Sequence, residues 1–318
     1  MHPKVPKVPR IGWFGLGSMG LAMATNLQRH LVAKQAPGLL YSNRTLSRGD
    51  TLQSLGATPE RDFKKLVVQS DIIFTMVSND SVHKSLISQA TLSAPSLSGK
   101  IFVDCSTVHP ETVGQSVGRL GGKGGILLAA PVFGGSSIAE AGKLVFAIGG
   151  LQSASKVVKP LIQDVMGRKV IDCGADAKKA SLLKIAGNIV TLNMMEAVGE
   201  AQVFAEKIGL GTGPMEELIG EAFGPVAGGY SKRLTTGAYA PPLDSRPGFS
   251  VDNAIKDANH AMDLAQDHDA YLPGLSVARK NMVAAREYAG PCLDSSSMYG
   301  MLRQQAGLEF WNKNSRKG

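Results

Sequence analysis

The chain has 318 residues, of which 43% are apolar and 19% charged, so it can bury an ordinary core and divide into two domains. No apolar run reaches the roughly 18 to 20 residues of a membrane helix, and the basic, proline-broken start lacks the apolar core of a secretory leader. The formal charge is +8, but the cations are scattered except for Lys4, Lys7 and Arg10 at one end and Lys313, Arg316 and Lys317 at the other.

No basic stripe with interleaved aromatics appears, so nucleic acid is not an expected partner, and neither is a membrane. The three cysteines, Cys105, Cys173 and Cys292, are far apart and suggest neither a disulfide framework nor a zinc site. A metal is not expected: His260 and the Asp267-His268-Asp269 run read as solvated groups on a polar helix. A reducing compartment fits, with the cytoplasm expected and a mitochondrial location left open.

Along the first half, short apolar runs at residues 10–15, 39–42, 71–76, 101–104 and 126–130 alternate with longer amphipathic stretches. This is the pattern of repeated βα units and a mostly parallel sheet. Residues 144–149 and 170–173 are two further candidate strands. After Gly174 a proline-free helical pattern runs from about residue 177 to 208, and a domain boundary is placed there, giving domains 1–174 and 175–318. Nearly every position between Leu182 and Met195 is apolar, so this helix is expected to be buried on most faces as a strut between domains. The remainder reads as helical, interrupted by a Gly- and Pro-rich surface loop over 224–248 carrying one short helix at most. The expected architecture is therefore α/β: a Rossmann-type N-terminal domain and an all-α C-terminal domain joined by a long central helix.

The most specific local signal is Gly15-Leu16-Gly17-Ser18-Met19-Gly20, a G-x-G-x-x-G that follows the first strand and opens an amphipathic helix over 21–31. Gly15 permits a tight turn, Gly17 lets backbone amides approach a pyrophosphate, and Gly20 allows close helix-to-strand packing. At the end of the second strand, where NAD enzymes place an acid on the ribose hydroxyls, the chain has Asn43-Arg44-Thr45. An acid would repel a 2′-phosphate, whereas Arg44 offers it a planar fork of donors and Asn43 and Thr45 add neutral partners. NADP is the expected cofactor.

In the long helix, Lys184 is the only charged residue between Leu182 and Met195, and Asn188 lies four residues on, hence on the same face. A lysine in apolar surroundings beside a nicotinamide is a usable proton carrier.

With these residues in view, the sequence resembles the β-hydroxyacid dehydrogenase family, which includes 3-hydroxyisobutyrate and 6-phosphogluconate dehydrogenases and tartronate semialdehyde or glyoxylate reductases. Beyond the glycine motif, Asp104-Cys105-Ser106-Thr107-Val108-His109-Pro110 looks like the family's D-x-S-T-x-x-P, which implies that Thr107 contacts the cofactor. Met76-Val77-Ser78 matches a loop lying along the dinucleotide, implicating Val77 and Ser78. Ala130-Pro131-Val132-Phe133-Gly134-Gly135 is similar to the substrate-binding A-P-V-S-G-G. Lys184 to Asn188 resembles K-x-x-N-N, whose lysine is the general acid/base, and Lys256-Asp257 resembles a K-D pair whose lysine approaches the cofactor.

The departures are specific. Phe133 stands where the family has a carboxylate-holding serine, which makes the pocket more apolar. Gly187 replaces the first asparagine of K-x-x-N-N. Thr191 occupies the position of the glutamate that the decarboxylating sugar-acid member requires, so simple oxidation or reduction is expected.

The resemblance implies an NADP-dependent hydride transfer on a small, carboxylate-bearing hydroxy acid or its semialdehyde or keto counterpart. Lys184 and Asn188 would be catalytic, with Phe133, Gly134 and Gly135 at the substrate, in a homodimer or homotetramer. Two alternatives stay open. One is an imine reductase of the same fold, although those enzymes usually carry aspartate or tyrosine in place of Lys184. The other is a non-catalytic NADP-binding module.

Overall fold

The computed structural model describes residues 8–317. Lys4 and Lys7 of the N-terminal basic cluster lie outside them.

Among the described residues the chain forms two compact units, one reaching Lys184 and the other starting at Ile185. The first alternates strands and helices: β1 (Ile11–Phe14), α1 (Ser18–Ala33), β2 (Leu40–Ser42), α2 (Asp50–Ser54), β3 (Thr58–Pro59), α3 (Phe63–Gln69), β4 (Ile72–Thr75), α4 (Asp80–Ser93), β5 (Ile101–Asp104), α5 (Pro110–Gly121) and β6 (Ile126–Ala129). These six strands form one parallel sheet in the order β3-β2-β1-β4-β5-β6. The order reverses direction at β1, because the chain grows outward first on one side of it and then on the other. Such a switch point opens a crevice at the carboxyl ends of the strands.

Both faces of the sheet are covered. Trp13 and Ile11 of β1 point into a core shared with Met23, Leu27 and Leu31 of α1, and Trp13 stacks on its cross-strand neighbour Phe74 with ring centroids 5.4 Å apart. On the other face Gly12 leaves room for Leu66 of α3, since a Cβ there would lie 2.6 Å from its side chain. Helix starts are set by capping residues. Asp62 caps α3 by accepting from Lys64 N, Asn79 caps α4 by accepting from Val82 N, and Pro110 stands in the first turn of α5, where its missing N–H costs nothing.

The unit ends with β7 (Val132–Phe133), α6 (Ser136–Glu140), β8 (Leu144–Ile148), α7 (Gln152–Ile162) and β9 (Gly167–Asp172). Here β8 pairs antiparallel with β7 and parallel with β9 in a small second sheet.

Helix α8 (Lys178–Lys207) follows and contains the division between the units. It is not buried on most faces: Leu182 is 42% and Val190 61% exposed, and Lys184 is half-buried. Its apolar residues encircle the helix, but not every face reaches a core: Ala180 and Leu183 join that of the first unit, and Ile185, Leu192, Met195, Val198 and Val203 that of the second.

The second unit is helical: α9 (Thr212–Thr235), α10 (Val251–Asp267), α11 (Pro273–Ala289) and α12 (Met298–Gln305), with a short 3₁₀ turn at Ser295–Ser297. The loop expected over 224–248 is shorter. Gly224 is left-handed at φ 81° and breaks α9, and the helix resumes from Pro225 to Thr235. Proline is tolerated at such a start, so the Gly-Pro pair marks a kink rather than an exit from helix.

Candidate cofactor and substrate site

The glycine turn joins β1 to α1 at the switch point. Gly15 has φ of 100°, and a Cβ there would lie 2.1 Å from Met76 O, so glycine is required on conformational and steric grounds alike. A Cβ on Gly20 would lie 2.1 Å from Gly15 O, which fixes how closely α1 approaches the strand. Gly17 differs: it caps α1 with ordinary dihedrals and a Cβ there would meet nothing within 4 Å. The space beside Gly17 is open, in front of the first amides of a sixteen-residue helix with no side-chain cap. Amides and open space of this kind fit a dinucleotide pyrophosphate.

Asn43, at the end of β2, accepts from Leu16 N (3.0 Å) and donates to Thr45 O (2.8 Å). Its side chain therefore ties the β2 end to the glycine turn. Arg44 and Thr45 are exposed beside it. Arg48, which sequence reasoning did not single out, donates to Leu16 O (3.2 Å) and adds a second cation at this edge. Its signal was available, since it lies four residues after Arg44.

Two further loops end at the same edge of the sheet. Val77 and Ser78 follow β4, and Thr107 follows β5; Val77 and Thr107 are half-buried and Ser78 is exposed. Behind them lies a polar cluster that the sequence reading missed. Asp104 Oδ1 accepts from Thr75 Oγ1 (2.8 Å) and from Ser106 Oγ (2.7 Å), and Ser106 Oγ in turn accepts from Val77 N (2.8 Å). The other oxygen, Asp104 Oδ2, lies 3.1 Å from His83 Nδ1 on α4. Both residues are 1% exposed.

The protonation of His83 follows from its neighbours. Ser116 Oγ spends its hydrogen on Thr112 O (2.7 Å), so toward His83 Nε2 (2.9 Å) it accepts, while the Asp104 carboxylate accepts at Nδ1. These partners favour the doubly protonated ring. Burial opposes the imidazolium, but the charge and hydrogen bond of Asp104, with help from Asp80, override it and hold His83 above its ordinary value. Burial likewise opposes the Asp104 carboxylate, and His83, Ser106 and Thr75 override that, so Asp104 is held below the usual carboxylate value.

Within the same unit, Lys184 Nζ sits 4.5 Å from the centroid of the Phe133 ring, a cation–π distance. Phe133 is followed by Gly134 at φ 123°, and a Cβ on Gly135 would meet nothing within 4 Å. In the second unit, Asn188 is buried and donates from Nδ2 to Asp257 Oδ2 (2.6 Å), whose Oδ1 lies 2.9 Å from Lys256 Nζ. Asn188, Asp257 and Lys256 thus form one polar group there.

The glycine turn, the parallel sheet and its switch point define a Rossmann-type dinucleotide-binding unit followed by a helical one. Residues 10–174 match the family model described as the NAD binding domain of 6-phosphogluconate dehydrogenase, and residues 179–302 match that of the NAD-binding of NADP-dependent 3-hydroxyisobutyrate dehydrogenase. The chain belongs to the β-hydroxyacid dehydrogenase family of NAD(P)-dependent oxidoreductases.

Among its relatives, the NADH-dependent oxidoreductase ucdB of Aspergillus ustus is 32% identical, over 92% of this chain and 98% of that one. The 2-(hydroxymethyl)glutarate dehydrogenase of Eubacterium barkeri is 28% identical over 94% and 96%. The structure of Mycobacterium tuberculosis 3-hydroxyisobutyrate dehydrogenase with L-serine superposes with a TM-score of 0.75 at 26% identity, covering 93% of this chain and 99% of that one.

Proposed function

We propose that this chain transfers hydride between NADP and a small hydroxy acid or its semialdehyde or keto counterpart, with Lys184 as general acid/base. The observation that carries the reading is the Lys184 ammonium, held against Phe133 in the segment that matches the family's substrate loop. A bound nicotinamide supplies or accepts the hydride. In reduction Lys184 gives a proton to the carbonyl oxygen as the carbon gains hydride, and in oxidation it takes the hydroxyl proton. Asn188, oriented by its bond to Asp257, positions the reacting oxygen, and the amides of Gly134 and Gly135 hold the acid group.

On the cofactor side, the open space at Gly17 takes the pyrophosphate along Leu16, Ser18, Met19 and Gly20. Val77, Ser78 and Thr107 would line the path to the nicotinamide, and the resemblance assigns Lys256 to the cofactor as well. Arg44 supports NADP, because no acid occupies positions 42 to 45 and its guanidinium is exposed at the β2 end. The name of the Aspergillus ustus relative specifies NADH, so both dinucleotides belong in any assay.

Phe133 favours a second reading, reduction of a cyclic imine, because an aromatic ring replaces a hydroxyl donor beside the lysine. The domain division 1–174 and 175–318 and a homodimeric or homotetrameric assembly complete the proposal.

A panel of semialdehydes, glyoxylate, 3-hydroxy acids and cyclic imines, tested with NADPH and NADH, checks it. Turnover of a carboxylate-bearing aldehyde, faster with NADPH, is expected. Preference for imines would replace this reading with the second, and dinucleotide binding with no turnover of any compound would leave a binding module.

A further inference from the structure

We propose that His83 is a positioning residue for the dinucleotide, acting through Asp104 to hold the loops after β4 and β5 in their binding arrangement. The inference rests on the reading above in one respect, that Val77, Ser78 and Thr107 lie along the cofactor.

Asp104 stands at the carboxyl end of a central strand, fully enclosed, and a carboxylate there needs a counter-charge as well as hydrogen bonds. Thr75 and Ser106 supply hydrogen bonds to one oxygen, but they are neutral. The counter-charge comes from His83, one turn into α4, and Ser116 of α5 secures the far side of its ring. Asp80 and Lys84 on α4 and Asp104 on β5 are the charged groups that act on the imidazole.

The consequence reaches the cofactor loops in two bonds. Ser106 Oγ accepts from Val77 N while it donates to Asp104 Oδ1, so one side-chain position serves both bonds. A second tie, His109 N to Asp80 Oδ1 (2.9 Å), joins the same two loops on the α4 side. Without the imidazolium, the enclosed carboxylate takes up a proton or turns toward another donor. Turning of the carboxyl loosens its bond from Ser106 and with it the anchor of the Val77 amide, and the loop after β4 loses its register against the one after β5. None of these residues needs to touch the dinucleotide for its binding to depend on them.

NADPH affinity, read by its fluorescence in the full-length protein well below each melting midpoint, tests this on wild type, His83→Leu, His83→Gln, Asp104→Asn and the His83→Leu/Asp104→Asn pair. His83→Leu is expected to weaken NADPH by about tenfold, because the loops that hold the dinucleotide lose a supporting group. His83→Gln keeps an N–H toward Asp104 and recovers part of the loss. The double variant, freed of the unpaired charge, falls short of the product of the single losses. Amide exchange by mass spectrometry should accelerate in segments 76–80 and 105–108 and not elsewhere in the sheet.

Wild-type affinity in a folded His83→Leu or, should that variant not fold, in His83→Gln with unaltered exchange over those segments overturns the inference. A wild type that binds neither NADPH nor NADH would instead remove the cofactor reading on which it rests.

Discussion

The three glycines of the turn make different structural demands, and this separates binding from folding. In Gly17→Ala the new methyl meets no protein atom within 4 Å, and the dihedrals at position 17, φ −72° and ψ −175°, suit any residue. The remaining cost is that of alanine as a helix cap, roughly 0.5 to 1 kcal/mol, which lowers the melting temperature by about 1 to 4 °C in a unit of this size. The methyl fills the space assigned to the pyrophosphate, so NADPH affinity should fall by at least about tenfold, or about 1.4 kcal/mol. Gly20→Ala reverses the balance. Its methyl would lie 2.1 Å from Gly15 O, so α1 must move off the strand and the protein loses several kcal/mol, in the range of about 1 to 3 expected for overpacking or more. Melting followed by circular dichroism, with fluorescence titration of NADPH, reads both quantities. A Gly17→Ala protein that binds NADPH like wild type would refute the placement of the pyrophosphate.

Arg44→Asp places an acid where a 2′-phosphate would sit, so NADPH should weaken by about tenfold or more while NADH changes little; the ratio of kcat/KM values checks it. Phe133→Ser restores a hydroxyl donor and should raise kcat/KM for small 3-hydroxy acids relative to apolar carbonyl compounds, an outcome that unchanged ratios would contradict. Glu196 offers a test of stability against pH. Burial is the main cause that lifts its carboxyl from 4.5 to about 7, against a bond from Asn281. Because the folded value lies above the unfolded one, stability is greatest below about 4.5 and falls as pH rises through about 7, by an amount on the order of 3 kcal/mol. Glu196→Gln should therefore raise the melting temperature at pH 8 and leave it little changed at pH 4.5; equal shifts at both would show that the carboxyl is not titrating in the fold.

Most of the strands were legible because a strand buried on both faces is a short apolar run bounded by turn residues; β1, β2, β4, β5 and β6 of the parallel sheet and β8 of the small second sheet have that form. The two-residue strands β3 and β7 were not, since Thr58-Pro59 and Val132-Phe133 are too short for any period and owe their pairing to their neighbours. Helix α8 was legible in extent, 178–207 against an expected 177–208, but not in burial: apolar residues on every face do not say which faces this chain itself covers. Gly224-Pro225 was read as loop because the same dipeptide begins a turn or restarts a helix, and only packing decides.

At the site, spacing alone exposed the glycine turn, since Gly15 and Gly20 answer local steric demands and Gly17 leaves open space before the helix amides. The His83–Asp104 pair could not be read, because a histidine on an amphipathic helix carries no mark of the strand end it will face across 21 residues of sequence. Asn43 shows the opposite limit: its position was legible, but its side chain is engaged with the turn through Leu16 N.

The most direct test of the account is Lys184→Met, assayed by single-turnover oxidation of NADPH with the best carbonyl substrate from the panel, alongside NADPH binding. The account predicts wild-type affinity for the dinucleotide and a hydride-transfer rate lower by about 10² to 10⁴-fold, the usual worth of a general acid. A Lys184→Met protein that transfers hydride at a near-normal rate would contradict it.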